Sequence, residues 1–363
     1  MRLDELTPSP KTKRLPSLKT FAAWILVVAF LLGMMRTISG LEVVYSDYRF
    51  FHLAAVRLVQ GENAYGIQPN GVQGFFNPLW AIFPLISFTA LDQPLAFQLW
   101  RLFILLTFLP ATYLIMRLYR LPPTPFLTLL IGLFISVPWY IGQNSSLVAV
   151  GVFLAILFAS DERWMMAGAM IPLIFIKPQT VLLFPLALAW RGRARAVAGM
   201  ILGGGIASVG AGLAQWDWVT AWLNSRWGDS EGSVGVTWLS AGLGNVLDLL
   251  HLPNGIYLIG VAAGLYLFWR YRHLDWRQWS ALALGLGATL TPYIRPQDFL
   301  LLLPIIFLLP PRWVYALTPA WVFFFAGPLP YPLMWLIPFS VTLAFVIAAE
   351  RRVLRLTPAR VAA

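Results

Sequence analysis

Apolar runs close to bilayer length recur from residue 21 to residue 349, and no other feature narrows the fold so far. About 20 apolar residues in a helix cross the roughly 30 Å hydrocarbon core of a membrane, where every backbone group must find its partner internally. The 363 residues are 59% hydrophobic and 11% charged. An ordinary soluble domain carries about 25% charged residues. The expected class is therefore an all-α polytopic membrane protein, for which length is no guide to domain number.

The net charge of +11 invites a nucleic-acid reading, but the distribution of the basic residues excludes it. Residues 1–20 form a basic tail, expected in the cytoplasm. The run 21–40 reads as an uncleaved first span, because Arg36 interrupts its end and no A-x-A cleavage site follows. The stretch 77–91 is short and bracketed by prolines, and reads as a re-entrant or surface helix. With that choice, runs at 95–116, 125–141, 145–160, 196–214, 254–269, 279–292, 299–310, 313–327 and 332–349 alternate across the membrane. Residues 165–190 supply two short spans hinged at Lys177-Pro178. The total is about twelve spans with both termini inside, forming one transmembrane unit over 21–350 and a second basic tail over 351–363. The first external loop covers 41–94. The second covers 215–252, with a surface helix expected over 236–252. Most Lys and Arg then fall on the cytoplasmic side, as the positive-inside bias requires. The exceptions are Arg36, Arg49, Arg57, Arg101, Lys177, Arg226 and Arg295. Multi-pass residence in the cell membrane, contact with membrane lipids and no nucleic-acid partner follow.

Residues 45–66 stand apart. Ser46-Asp47 reads as a helix start and Gly61 as its stop. Phe50, Phe51, Ala54, Ala55 and Leu58 recur at helical spacing, and the expected opposite face carries Arg49, His52, Arg57 and Gln60. Such a helix suits the membrane surface. The same topology gathers Asp47, Arg49, His52, Glu62, Gln143, Asn144, Lys177, Gln179, Arg226, Asp229, Arg295, Gln297 and Asp298 on the outer side. Ionisable groups at membrane depth are costly and default to functional candidates. Interfacial cations suit a lipid phosphate, and a neighbouring carboxylate can take the proton of an attacking hydroxyl. Each residue also has a plain structural use. Asp47 can cap its helix, Lys177 can snorkel, Arg295 and Asp298 can pair with each other, and Gln143-Asn144 can cap span ends. Glu62, Asp229 and Glu231 read as solvated loop charges. The basic runs at 191–195 and 270–277 read as topology signals with some anionic-lipid contact. The chain has no cysteine, its three His do not cluster, and it has no Asp-x-Asp motif, so neither a metal nor another cofactor is expected.

The order of these features resembles glycosyltransferase family 87 of the GT-C superfamily, polyprenol-phosphate-mannose-dependent mannosyltransferases. The resemblance rests on Asp47-Tyr48, Ala54-Ala55 and Gly61 to Tyr65, then Phe75-Phe76-Asn77-Pro78. It continues through Gly142-Gln143-Asn144, Gly168 to Lys177-Pro178, and Thr291-Pro292-Tyr293 to Asp298-Phe299. It implies a GT-C-like bundle, a polyprenyl-phosphate-linked hexose donor with mannose the expected sugar, and a lipid or glycan acceptor at the outer face. It also implies Asp47 as catalytic base, with Lys177 and Arg295 near the donor phosphate. Arg49, His52, Gln143, Asn144, Gln179 and Asp298 complete the expected substrate-binding set. A secondary transporter or flippase is the competing reading from spans broken by Pro and Gly. It calls for an internal repeat and midplane charges, and neither is evident. A non-catalytic scaffold needs no charges gathered on one side.

Overall fold

The computed structural model describes residues 47–65, 75, 77–227, 255–291, 294–326 and 331–351, with isolated positions at 25, 29, 243, 246, 247, 250, 251 and 354. The first basic tail, nearly all of the first span, most of 236–252 and most of the second basic tail lie outside the described residues. All regular structure among the described residues is helical.

The first consecutive run of described residues opens with α1 (Asp47–Val59), and a 3-10 helix, Leu79–Phe88, follows. Leu79, Ile82 and Leu85 in that segment are buried, and the three-residue repeat of a 3-10 helix places them on one stripe. At about 2 Å per residue the segment is too short to cross a bilayer. It packs under α1 instead, and Trp80 Nε1 donates to the Pro172 carbonyl at 2.9 Å. Next come α2 (Gln93–Leu118), α3 (Pro125–Ile141) and α4 (Ser145–Ser160). Asp92 and Thr124 accept the first-turn N–H groups of Leu95 and Leu127, each at 3.2 Å, so α2 and α3 start where their sequences carry caps and early prolines.

Two short helices follow, α5 (Trp164–Ala169) and α6 (Ile171–Ile174), then a single 3-10 turn at Pro178–Thr180. Here the structure differs from the expected pair of hinged spans. Trp164–Ile174 reaches only about 16 Å, half a bilayer, because the helix breaks at Met170 and Pro172 sits in its second part. The long α7 (Leu183–Ala214) comes next and is broken at Arg193, whose φ of 49° and ψ of −139° lie outside the helical region. The break falls inside the basic run where a loop was expected. Beyond it the backbone of α7 lies directly on α5. A Cβ at Gly199 would stand 2.0 Å from the Met165 carbonyl, and one at Gly168 would stand 2.1 Å from that of Ala196. These glycines admit a contact that no larger residue would allow, as small residues do between membrane helices.

The remainder is α8 (Trp218–Trp227), α9 (Gly255–Arg270), α10 (Trp276–Leu290), a 3-10 segment Pro296–Leu302 continuing into α11 (Leu303–Leu308), α12 (Pro311–Ala326) and α13 (Leu336–Glu350). α10 and α11 are sheathed by the others, and nearly all of their side chains are buried. The outer helices reverse the pattern of a soluble protein. On α7, Ile201, Ile206, Val209 and Leu213 point outward, the last 86% exposed, while Ala196, Gly199, Gly203 and Ala211 point inward. On α9, Leu258 and Ile259 are more than two-thirds exposed. Large apolar groups outside and small ones inside mark a lipid-facing surface. Among the described residues, Gln93–Leu118, Leu183–Ala214 and Leu333–Glu350 are each long and apolar enough to cross a membrane.

Connectivity sorts the helix ends into two groups. One holds the start of α1, the α3–α4 turn, the link from α6 to α7 and the link from α10 to α11. The other holds Arg117, Arg120, Arg163, Arg191, Arg193, Arg270, Arg272 and Arg312.

Candidate active site

Four helix ends meet in a closed ring of polar contacts. α3 stops on Gly142 at φ 67°, and the Gln143 N–H returns to the Pro138 carbonyl at 2.8 Å. This turn is the seat of α1. A Cβ on Gly142 would come 2.6 Å from Tyr48 Cβ and 2.8 Å from the Phe97 ring, and Trp100 Nε1 holds the Gly142 carbonyl at 2.9 Å. The bare glycine lets Tyr48 sink to full burial, and Asp47, one residue earlier, then meets Gln143. Gln143 Nε2 donates to Asp47 Oδ2 at 2.6 Å, while Gln143 Oε1 accepts the Asn144 N–H at 2.8 Å. The amide is oriented at both ends, so its donor faces the carboxylate.

From Asn144 the ring passes to Ser145, the first residue of α4. Its Oγ donates to Asp298 Oδ1 at 2.6 Å and accepts from Lys177 Nζ at 2.8 Å. Lys177 Nζ also meets Asp298 Oδ1 at 2.8 Å, with side-chain exposures of 7% and 1%. Asp298 Oδ2 accepts the Arg295 N–H at 3.2 Å, and Arg295 Nη1 lies 3.9 Å from Asp47 Oδ2. A charge pair this deep depends on each partner being present, and Ser145 satisfies a further site on each. Asp47 and Arg295 are about one-quarter exposed, so they form the open side of the ring and Lys177–Asp298 its closed side.

The structure thus brings together Asp47, Gln143, Asn144, Lys177, Arg295 and Asp298. Among the described residues, no bond joins the Asp47 carboxylate to the first-turn N–H groups of α1, the alternative use of that side chain. Asp298 meets the Lys177 ammonium and the Arg295 backbone. Gln179 lies two residues beyond Lys177 with its Oε1 buried and unpartnered among the described residues, and Asn144 Oδ1 is in the same condition. Arg49 is half-buried on α1 and takes no part in the ring.

His52 requires a correction. It was expected on the polar face of α1, but it is buried with Tyr48, Phe51 and Ala55. Positions 48, 52 and 55 share one stripe of a 3.6-residue helix, and Phe50 is the residue displaced to the edge. The His52 ring packs 5.4 Å from that of Tyr48. Burial holds its imidazole below the usual 6.5, opposed by a hydrogen bond to the Phe88 backbone. Ser145 was missed. In Gly-Gln-Asn-Ser-Ser before an apolar run, a serine has the same sequence appearance as a helix cap.

Arg101 explains how the turn is supported. It is buried in α2, lies over the Phe97 ring at 4.0 Å and donates to the Tyr140 carbonyl at 2.8 Å. It is a strut for the end of α3. Among the described residues, no three His, Asp or Glu side chains gather as a metal site would need.

A lipid-facing helical bundle with a charged, carboxylate-bearing ring at one set of helix ends defines an integral-membrane protein equipped for polar chemistry at the bilayer surface. The chain belongs to glycosyltransferase family 87, in the GT-C superfamily, and the family model matches residues 75–304. It is accordingly a membrane glycosyltransferase. The match covers Gln143, Asn144, Lys177, Gln179, Arg295 and Asp298; Asp47, Arg49 and His52 precede it. No curated protein and no solved structure matches the chain.

Proposed function

We propose that the protein transfers a hexose, mannose, from a polyprenyl phosphate to a lipid or glycan acceptor at the outer face of the cell membrane, with inversion at the anomeric carbon. The observation that carries this reading is the Asp47–Arg295 edge of the ring, where a carboxylate and a guanidinium stand side by side and partly open. Asp47 takes the proton of the acceptor hydroxyl as its oxygen attacks the anomeric carbon. The bond to the phosphate oxygen breaks as the new glycosidic bond forms, and the lipid phosphate leaves with the electron pair. Arg295 meets the charge that develops on the phosphate, for which its planar fork is suited. Lys177 acts from behind, because its ammonium is engaged by Ser145 and Asp298, which in turn holds the Arg295 backbone. Asp298 is too deeply buried and too fully paired to serve as a nucleophile, which supports single displacement over a covalent intermediate. The unpartnered Asn144 Oδ1 and Gln179 Oε1 are acceptors that sugar hydroxyls would satisfy.

Membranes carrying the wild type should move radiolabelled mannose from polyprenyl-phosphate-mannose into lipid or glycan. Asp47→Asn should lower that rate by about 10²–10⁴, the usual contribution of a positioned base. Undiminished transfer by Asp47→Asn would remove Asp47 from the mechanism. Transfer of glucose in place of mannose would change the donor and leave the base in place.

A further inference from the structure

At the far end of α10 from the ring, the break in α7 and the end of α9 wall an open groove of about 750 Å³. α10 separates the two places by about 22 Å. Arg191, Arg193, Arg270, Arg272 and His273 line it, and among the described residues its wall contains no carboxylate. Glu350, outside the wall, meets Arg270 at 3.0 Å. Two arginines are fixed in place. Arg191 donates to the carbonyls of Arg272 and Leu274, and the Arg272 guanidinium lies 4.1 Å over the Trp269 ring. Arg193 occupies the backbone break itself. Non-helical strain of this kind persists where surroundings over-determine it, and it clusters at ligand clamps.

The rim indicates what the groove holds. Trp190, Tyr266 and Trp269 are each more than half exposed at its mouth. Exposed Trp and Tyr at helix ends mark the headgroup level of a bilayer. Beside them the surface is apolar, with Leu186 on α7 and Leu265 on α9 both about half exposed. A soluble anion would use the arginines and leave the aromatic rim and apolar flank without a role. We propose that this groove binds the phosphodiester of an anionic phospholipid in the leaflet facing the basic loops, with the acyl chains lying along α7 and α9. The site is separate from the donor site and does not depend on the donor's identity.

The test uses the full-length protein, delipidated in detergent and titrated with phosphatidylglycerol, phosphatidylcholine or inorganic phosphate, with bound lipid counted by native mass spectrometry. Phosphatidylglycerol should bind in preference to phosphatidylcholine, and inorganic phosphate should not displace it at matched concentration. Arg193→Gln/Arg272→Gln should weaken phosphatidylglycerol about thirtyfold, from two basic contacts at a membrane surface. Arg195→Gln, on the same turn but outside the wall, should bind as wild type does and controls for the fold of the turn. Equal binding of the two lipids, or wild-type binding by the double variant, would overturn the site. Displacement by inorganic phosphate would overturn the lipid as its ligand.

Discussion

Gly142→Ala tests the link between a packing contact and the site. The added methyl would stand 2.6 Å from Tyr48 Cβ and 2.8 Å from the Phe97 ring. Carbon atoms in contact sit about 3.5–4.0 Å apart, so α1 must retreat by about 1 Å. The backbone adds its own cost, since φ is 67° at this position. An L-residue in the left-handed region costs roughly 1–2 kcal/mol, and overpacking costs about 1–3 kcal/mol. Gly61→Ala separates the two terms. Gly61 ends α1 at φ 76°, with the Glu62 N–H returned to the Arg57 carbonyl, and nothing lies within 4 Å of an added Cβ. It carries the backbone cost without the clash.

Both variants should therefore melt lower than wild type, Gly142→Ala the lower of the two. Their activities should diverge more sharply. Withdrawal of α1 moves Asp47 away from Gln143 and Arg295, and a misplacement of about 1 Å in a reacting group costs on the order of 10²-fold. The assay is kcat/KM for sugar transfer in nanodiscs, with melting followed on the same preparations. Equal activity of Gly142→Ala and Gly61→Ala would refute the claim that the Tyr48–Gly142 contact sets the position of Asp47.

Lys177→Met leaves Asp298 buried without its counter-charge and should destabilise the protein by roughly 3–5 kcal/mol. Lys177→Met/Asp298→Leu should regain most of the lost melting temperature but not the transfer rate, because the Arg295 backbone has lost its anchor. Ser145→Ala should cost about 1–3 kcal/mol for the unsatisfied partners it leaves, whereas Ser146→Ala, whose hydroxyl makes one long bond of 3.4 Å to the Gln143 carbonyl, should be near neutral in the same melting assay. His52 gives a pH signature. Its folded pKa lies below 6.5, so the unfolded chain binds more protons in that window. The stabilisation is full above about pH 6.5 and is lost as the pH falls through the lower folded value. The wild-type melting temperature should drop on acidification below neutrality, and His52→Gln should show a shallower slope.

The helices were legible in the sequence because bilayer length and apolar composition are local properties. Runs at 95–116, 254–269 and 332–349 became α2, α9 and α13 with ends shifted by a few residues. Breaks inside apolar stretches were harder to read. Nothing in Met170 announces the end of α5. The kink in α7 falls at Arg193 because glycines on both sides of the break dock on α5, a tertiary demand. The site divides in the same way. Asp47, Gln143, Lys177, Arg295 and Asp298 stood out as polar groups at the ends of apolar runs. Most of their partners did not, because the bonds of Asp47 with Gln143 and of Lys177 and Ser145 with Asp298 cross from one helix end to another. The buried face of α1 was read correctly at Phe51, Ala54, Ala55 and Leu58, and His52 was misplaced because Phe50 is more apolar than His52. The amphipathic pattern could not register that Tyr48, fixed by Gly142, would bring His52 inward with it.

The order of the chain around the ring has a further consequence. Asp47 comes from the first described helix and Arg295–Asp298 from the last third of the chain, with Gln143–Ser145 and Lys177 between them. The core pair Lys177–Asp298 and Ser145 can form once α4, the α6–α7 link and the α10–α11 link have packed. These all lie within the stretch the family model covers. α1 adds the open edge through Tyr48 on Gly142, the hydrogen bond from Gln143 to Asp47 and the approach of Arg295 to Asp47, while its buried face packs on the 3-10 segment. The buried half is rigid because a low-dielectric ion pair with a bridging hydroxyl has few alternative arrangements. The open half rests on α1, a helix of 13 residues held to the bundle by side-chain packing. The division follows from burial: Lys177 and Asp298 are sealed, and Asp47 and Arg295 are partly exposed beside them.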